Sequence, residues 1–568
     1  LLIIPHFSTL CKLNINNSNK ILNYIRTDDI IFLALSLRYI KEGYLMKAIK
    51  FLNVSKSFGD KNILNIDNLE IQSGEKIGIV GKNGSGKSTL FNLINRDIEP
   101  DTGTIEINGN IAYLKQLDDI TSNRETFLSG GEKMIEAVNK KLQEDSNILL
   151  ADEPSTNLDM FRIEYLVKKF KEYKGTLLII SHDRNLLDSV CNSIIEISNG
   201  KLNKYNGNYT KYKEIKEKEL QRQNFEYDQY VKEKERLKKA IIVSSNSSKS
   251  VKKAPKRMGN SEARLHRREA TEIQEKIERH SKSLETRLNK LERKEKLEQD
   301  YYIHLKSQEI DKLKNKNIIY SDNFSFDVNG KRLFENTKFY VQSNDKIALV
   351  GKNGSGKTTL LNQIMQHNDK IKLNPQVNIG YFKQNLDNLI ECKTVIENVM
   401  LDSSQNEVTA RNTLANLHIK ENEIFKKVNL LSGGEKVKVS LAKLLLSNSN
   451  VLILDEPTNF LDIESIEALE KLLNKYEGTV FFVSHDRKFI DNICNKVIII
   501  ENKKLIQFDG NYSEYKEYKA RQEKKDTNSN DNLLINFRIA KLNSEIAITK
   551  DEKEKQRLEE ELNNLKHS

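Results

Sequence analysis

Two stretches of this chain carry glycines, a lysine and a hydroxyl at a spacing suited to holding phosphate. Gly81-Lys82-Asn83-Gly84-Ser85-Gly86-Lys87-Ser88 follows the pattern GxxxxGK[ST], and Gly351-Lys352-Asn353-Gly354-Ser355-Gly356-Lys357-Thr358 repeats it. Glycines let backbone N–H groups close around a phosphate, and a helix starting just after them adds the positive end of its dipole. Lys87 and Lys357 are expected to reach the β- and γ-oxygens of a nucleoside triphosphate, while Ser88 and Thr358 offer hydroxyls to Mg²⁺. With Thr89 and Thr359 in the first helical turn, these loops form the candidate nucleotide-binding residues. Each is preceded by a short apolar run (Lys76 to Val80, Lys346 to Val350) and followed by a helix-forming one, the strand–loop–helix setting that the motif requires.

Two further apolar runs, Ile148 to Ala151 and Val451 to Leu454, each end in a pair of acids, Asp152-Glu153 and Asp455-Glu456. Buried carboxylates are costly unless a cation meets them. Asp152 and Asp455 are placed for a Mg²⁺ shell, and Glu153 and Glu456 to orient and deprotonate an attacking water. Ser129-Gly130-Gly131 and Ser432-Gly433-Gly434, within two copies of Leu-Ser-Gly-Gly-Glu, open helices and supply a second anion cradle through hydroxyl and N–H groups. His182 and His485 follow apolar runs at equivalent places, which separates them from an isolated structural histidine. Phe58 and Phe326, upstream of the phosphate loops, read equally as adenine-stacking rings or as core.

The elements that position these groups are arranged as an internal repeat. The phosphate loops recur at an offset of 270; the Leu-Ser-Gly-Gly-Glu, Asp-Glu-Pro and Ser-His-Asp runs recur at 303. The jump falls between Gln116 and Ser129, separated by 12 residues, where the equivalent Gln384 and Ser432 are separated by 47. The first half is therefore about 35 residues shorter at that point. Between the halves, Tyr209 to Ala240 and Ser261 to Gln299 are charged and helix-forming, the second with an apolar stripe at Ile273, Ile277, Leu284, Leu288 and Leu291. Ser244 to Ser248, Pro255 and Gly259 predict a break, giving an antiparallel helical hairpin with a loop at its tip. At 1.5 Å per residue, arms of roughly 35 residues span on the order of 50 Å.

The domain expectation is a first cassette over 46–208, a hairpin over 209–310 with its tip at 241–262, a second cassette over 311–520 and a helical extension over 521–568. The extension carries Leu558, Leu562 and Leu565 after a polar break. The net charge is +11, and Lys211 to Asp300 supplies most of it, with 26 basic and 17 acidic residues. Arg236 to Ser261 holds eight basic residues and no acid, which suits a polyanionic partner. No run of 18 apolar residues suggests a membrane span. Cys11, Cys191, Cys392 and Cys494 have no metal spacing and read as reduced thiols. The first Met is Met46, and Lys41-Glu42-Gly43 implies purine-rich codons just before it. Translation is expected to begin there, leaving 1–45 untranslated or disordered; a targeting segment is the alternative.

In order, these motifs resemble the ATP-binding cassette family. The resemblance implies two ATP molecules with Mg²⁺, each held by one half's phosphate loop and the other half's Leu-Ser-Gly-Gly-Glu, so that Lys87 pairs with Ser432 and Lys357 with Ser129. It implies that Gln116 and Gln384 contact nucleotide and metal, and that His182 and His485 contact the γ-phosphate. The α/β fold implied is two tandem cassettes joined by a long helical hairpin, with a small helical C-terminal extension. From Met46 onward the chain resembles the ABC-F translation factors, although Phe460 and Asn157 stand where that family commonly has His. The shortened first cassette, the tip Pro255 to Arg264 and the run Ser283 to Leu288 are similar to the Vga-like antibiotic-resistance subgroup. This implies a cytoplasmic monomer without membrane partners that acts on the 70S ribosome. Its hairpin would enter the E site, near 23S rRNA of the peptidyl-transferase centre and the P-site tRNA. Lincosamide, streptogramin A or pleuromutilin would be displaced. A housekeeping ABC-F factor and a transporter ATPase subunit are the alternatives.

Overall fold

The computed structural model describes residues 47–115, 130–156, 158–249, 260–292, 294, 317–328, 330–366, 368–383, 388–403, 405–522 and 542. The chain divides into two units between Asn206 and Gly207.

In the first unit, β1 (Lys47–Phe58) and β2 (Lys61–Gln72) pair antiparallel. β3 (Lys76–Val80) leads into α1 (Lys87–Ile94), and β4 (Thr102–Ile107) returns to β1. β5 (Ile111–Leu114), α2 (Gly130–Gln143), β6 (Ile148–Asp152), α3 (Met160–Glu172), β7 (Thr176–Ile180) and α4 (Arg184–Val190) follow. β8 (Ser193–Ser198) and β9 (Lys201–Asn206) close the unit. The large sheet has the order β5-β6-β7-β3-β8-β9, parallel except for β9. β6 and β7 are buried along their whole length, as strands covered on both faces must be, and this is why their sequences are unbroken apolar runs. Asp159 and Asp183 start α3 and α4 by accepting from backbone N–H groups of the first turn. The strand order places the C-terminal ends of β3, β6 and β7 side by side, where an open parallel sheet binds ligands.

The second unit opens with α5 (Tyr209–Lys249) and α6 (Asn260–Lys290). β10 (Asn317–Val328), β11 (Lys331–Gln342), β12 (Lys346–Gly351), α7 (Lys357–Met365), β13 (Lys372–Leu373) and β14 (Ile379–Phe382) repeat the start of the first unit. α8 (Val395–Leu401) and α9 (Glu407–Asn416) then form a helical subdomain before α10 (Gly433–Leu445). β15 (Val451–Asp455), α11 (Ile463–Lys475), β16 (Thr479–Val483), α12 (Arg487–Ile493), β17 (Lys496–Glu501) and β18 (Lys504–Asp509) complete the sheet β14-β15-β16-β12-β17-β18. A helix over 512–522 follows. The 47-residue interval between Gln384 and Ser432 thus holds two helices that 12 residues cannot contain.

The hairpin differs from expectation in two respects. α5 runs as helix through Ser244 to Ser248, to Lys249, so the serine cluster does not break it. Its hydroxyls find acceptors in helical geometry: Ser247 Oγ donates to the Val243 carbonyl at 2.9 Å, and Ser244 Oγ donates across to the Ile277 carbonyl at 3.3 Å. α6 ends at Lys290, short of Gln299. Leu237 is buried between the arms, and Ile277, Leu284 and Leu288 are half-buried, whereas Ile273 is exposed. Arg287 pairs with Glu233 at 3.2 Å and Lys294 with Glu226 at 3.4 Å across the two arms. Pro255, Gly259, residues 1–45 and, apart from buried Leu542, the C-terminal extension from 523 onward lie outside the described residues.

Candidate functional site

Each phosphate loop bridges the end of a central strand and the first turn of a helix. Gly84 and Gly354 take φ of 74° and 75°, and Gly86 and Gly356 both take 101°, values at which a side chain is strained. A Cβ at Gly86 would come within 2.8 Å of Ile63 Cγ2, and one at Gly356 within 2.9 Å of Phe334 Cζ. Lys87 Nζ donates to the carbonyls of Gly81 (2.7 Å) and Lys82 (3.2 Å). Lys357 does the same toward Gly351 (2.9 Å) and Lys352 (3.2 Å). The ammonium groups are thereby held over their loops. Ser85 Oγ and Ser355 Oγ are buried without a hydrogen-bond partner. A buried hydroxyl with nothing to donate to is costly, and inside a ring of glycine N–H groups it fits a phosphate oxygen.

The acids sit where the motifs place them. Asp152 and Asp455 end β6 and β15 and are buried. Burial, with the charge of Glu153 beside it, pushes Asp152 up to about 6; Tyr113, Lys87 and the Ser88 hydroxyl oppose this. Asp455 is likewise raised by burial, against a hydrogen bond from Thr358 and the charge of Lys357. The Ser88–Asp152 and Thr358–Asp455 contacts bring together an alcohol and a carboxylate, the hard oxygen donors a Mg²⁺ ion takes. These pairs would hold Mg²⁺, which supplies charge neutralisation on the phosphates.

Glu153 and Glu456 follow at φ of 48° and 51°, left-handed conformations that cost a branched or long residue about 1–2 kcal/mol each. Glu153 Oε1 lies 3.3 Å from His182 Nε2, and Glu456 Oε1 lies 3.2 Å from His485 Nε2. The backbone N–H groups of His182 and His485 donate to the other carboxylate oxygens at 3.4 and 3.2 Å. Burial raises both glutamates to about 7, opposed by Lys87 and Lys357. A carboxylate with that affinity for protons is suited to take one from water near neutral pH. The loop carrying it is tied to the histidine loop: Ser155 and Ser181 hydroxyls meet at 3.0 Å, and Thr458 and Ser484 at 3.1 Å.

Ser432 caps α10 in a reciprocal box with Glu435, leaving Gly433 and Gly434 in the exposed first turn with their N–H groups at the helix end. Gly130 and Gly131 open α2, Gly130 exposed and Gly131 buried. Phe58 is exposed at the end of β1, 54 % accessible, with Lys56 Nζ 5.7 Å from its ring centre. Phe326 is half-buried and stacked on Phe324 at 6.1 Å. The two rings therefore occupy different settings. Gln116, Gln384, Ser129 and Asn157 lie outside the described residues.

Three features escaped the sequence reading. Tyr113 OH reaches Asp152 Oδ2 at 3.4 Å, and Tyr381, its counterpart three residues before Gln384, is pushed up to about 12 by burial and the nearby Asp455. The repeat of Tyr-x-x-Gln was the available signal. The positive φ of the glutamates and the hydroxyl links between loops had none.

Fold and site together define a tandem ATP-binding cassette ATPase, and the family model described as "ABC transporter" matches residues 64–118 and 334–459. The chain is 34% identical over 477 residues to the erythromycin resistance ATP-binding protein MsrA of Staphylococcus epidermidis, covering 79% of this chain and 96% of that one. It is 32% identical to the ribosome protection protein VmlR of Bacillus subtilis strain 168, covering 81% and 87%. A third relative, the ATP-binding protein Uup of Buchnera aphidicola subsp. Acyrthosiphon pisum, is also 32% identical, covering 81% and 82%. The chain belongs to the ABC-F family of these ATPases. Among solved structures, archaeal ribosome recycling factor aABCE1, determined in complex with ribosomal stalk protein aP1, superposes with a TM-score of 0.55 at 18% identity. It covers 80% of this chain and 90% of that one, a likeness of fold. No described helix is long and apolar enough to cross a membrane.

Proposed function

We propose that this chain is a cytoplasmic ribosome-protection ATPase. It binds the 70S ribosome when loaded with two ATP and Mg²⁺, and the hairpin enters the E site toward 23S rRNA of the peptidyl-transferase centre and the P-site tRNA. Lincosamide, streptogramin A or pleuromutilin is displaced, as for Vga-like proteins, and hydrolysis releases the factor. In each cassette Glu153 or Glu456 accepts the proton of the attacking water, His182 or His485 beside that carboxylate contacts the γ-phosphate, and Lys87 or Lys357 neutralises phosphate charge.

One observation carries this reading. Similarity to proteins named for erythromycin resistance and ribosome protection extends along nearly their whole length. This chain itself carries a hairpin of 41- and 31-residue helices whose distal run, Arg236 to Ser261, holds eight basic residues and no acid. Such a run suits RNA phosphates, with salt-dependent affinity. The test is co-sedimentation of the Glu153→Gln/Glu456→Gln double variant with 70S ribosomes in ATP. Stable retention that weakens with salt, together with drug susceptibility on deleting the gene, supports the reading. Absence of retention at saturating ATP refutes it. The Uup similarity favours a second reading, a housekeeping ABC-F factor, which predicts ribosome retention without any change in drug susceptibility. Protection confined to erythromycin would keep the ribosome role and correct the drug class.

A further inference from the structure

The foot of the hairpin is built onto the helices that carry the second cassette's catalytic loops. Tyr209, the first residue of α5, is buried, and its hydroxyl donates to Glu467 Oε1 at 3.5 Å. One turn later Lys213 Nζ donates to the same oxygen at 2.7 Å. Lys488 Nζ lies 5.5 Å from the Tyr209 ring centre and donates to Thr210 Oγ1 at 3.5 Å. Glu467 belongs to α11, which begins at the cap Asp462 a few residues after catalytic Glu456. Lys488 belongs to α12, whose cap Asp486 adjoins His485. α11 and α12 are themselves joined, since Asn492 Nδ2 donates to Glu470 Oε2 at 3.0 Å.

The internal repeat supplies a second, independent observation. Tyr209-Thr210-Lys211-Tyr212-Lys213 recurs as Tyr512-Ser513-Glu514-Tyr515-Lys516. That copy also grips α12: the Ser513 N–H donates to Asp491 Oδ1 at 3.0 Å, Arg487 Nη2 donates to Ser513 Oγ at 3.2 Å, and Arg487 lies 5.9 Å from the Tyr512 ring centre. The helix behind the catalytic histidine is thus held by two feet, Tyr512-Ser513 of the cassette and Tyr209-Thr210 of the hairpin.

We propose that Lys213 and Glu467, with Tyr209 and Lys488, are positioning residues that transmit the state of the Glu456–His485 site to the hairpin. The lever is long. A 41-residue helix measures about 60 Å, so a 5° tilt at its foot moves the far end about 5 Å. The inference rests on the ribosome reading only in taking the hairpin as the working arm.

Spin labels test it without ribosomes. They are placed at Ile273→Cys on α6 and Ile506→Cys on β18, both exposed positions, in a chain carrying Glu153→Gln/Glu456→Gln with Cys11 and Cys392 replaced by Ser. Adding ATP and Mg²⁺ shifts the inter-label distance by about 5 Å in this parent. Lys213→Glu or Glu467→Lys removes at least half of the shift, and the exchanged pair Lys213→Glu/Glu467→Lys restores it. Because the ion pair is partly exposed, thermal stability and basal ATPase of the otherwise wild-type single variants stay near wild type, which separates positioning from loss of fold. A parent that shows no shift, single variants that shift as the parent does, or an exchange that fails to restore the shift overturns the proposal. Ribosome co-sedimentation of the parent is read in parallel. A hairpin that responds to ATP while the protein ignores ribosomes defeats the functional reading and leaves this inference standing.

Discussion

Replacing Glu456 by Gln tests the electrostatics of the second site in a way that does not depend on turnover. The carboxylate is buried, and burial shifts its ionisation from the ordinary 4.5 to about 7. The unfolded chain therefore loses this proton near pH 4.5 and the folded chain only near 7. Between those values the folded state binds more protons, so stability falls as pH rises. Carried to pH 8, the displacement corresponds to roughly 3 kcal/mol of folding free energy lost to holding the charge. The glutamine side chain is nearly isosteric, and its carbonyl can still accept from the His485 N–H that now reaches Glu456 Oε2. The variant should therefore gain about 3 kcal/mol over wild type at pH 8 and under about 1 kcal/mol at pH 5, where the folded carboxyl is neutral while that of the unfolded chain is already largely ionised. The assay is urea unfolding of nucleotide-free protein across pH 5 to 8, following the transition of the second cassette. A difference between the two proteins that stays constant over that range would refute the claim that an ionised, poorly solvated Glu456 sits in this site.

Three other outcomes are expected. Single-turnover hydrolysis should rise with pH through about 7, because Glu153 and Glu456 must be ionised to accept a proton, with the rate at pH 6 about tenfold below its plateau; a flat profile counts against them as bases. Gly356→Ala should abolish nucleotide binding at the second site in a filter or fluorescence assay, since φ of 101° and a Cβ 2.9 Å from the Phe334 ring both oppose it; wild-type affinity would mean the loop adapts. Phe460→Gly should raise the unfolding free energy by about 1 kcal/mol, because Phe460 is 68 % exposed and held at φ 66°; a loss of stability would show that the ring's contacts outweigh its backbone strain.

The chemistry was legible because it tolerates little variation in spacing. A lysine that must reach phosphate and a glycine that must take φ of 101° leave signatures no other structure needs, and the repeat doubled each one. The buried strands declared themselves through unbroken apolar runs such as Ile148 to Ala151. The hairpin was legible as two helices but not in its extent. Serines read as helix breakers on local propensity, yet Ser244 and Ser247 bond within and across the arms, and tertiary context overrode the preference. The Tyr113 contact and the hairpin's foot depend on residues 39 and 254 positions apart meeting in space, which a linear pattern does not encode.

The shortened first cassette differs from the second beside its site, not in the described geometry of the site itself. Both sites keep the same core geometry, with carboxylate-to-imidazole distances of 3.3 and 3.2 Å and both glutamates at positive φ, although the first half lacks about 35 residues between Gln116 and Ser129. What those residues build in the second cassette is α8, α9 and their connections, where Leu401, Val408, Phe425 and Leu430 are exposed. Twelve residues cannot carry an equivalent surface. The shortening therefore leaves Asp152, Glu153 and His182 of the first half in the geometry that their counterparts share in the second. A chain that keeps the same carboxylate and imidazole geometry in both halves while shortening one of them confines that asymmetry to residues outside this geometry.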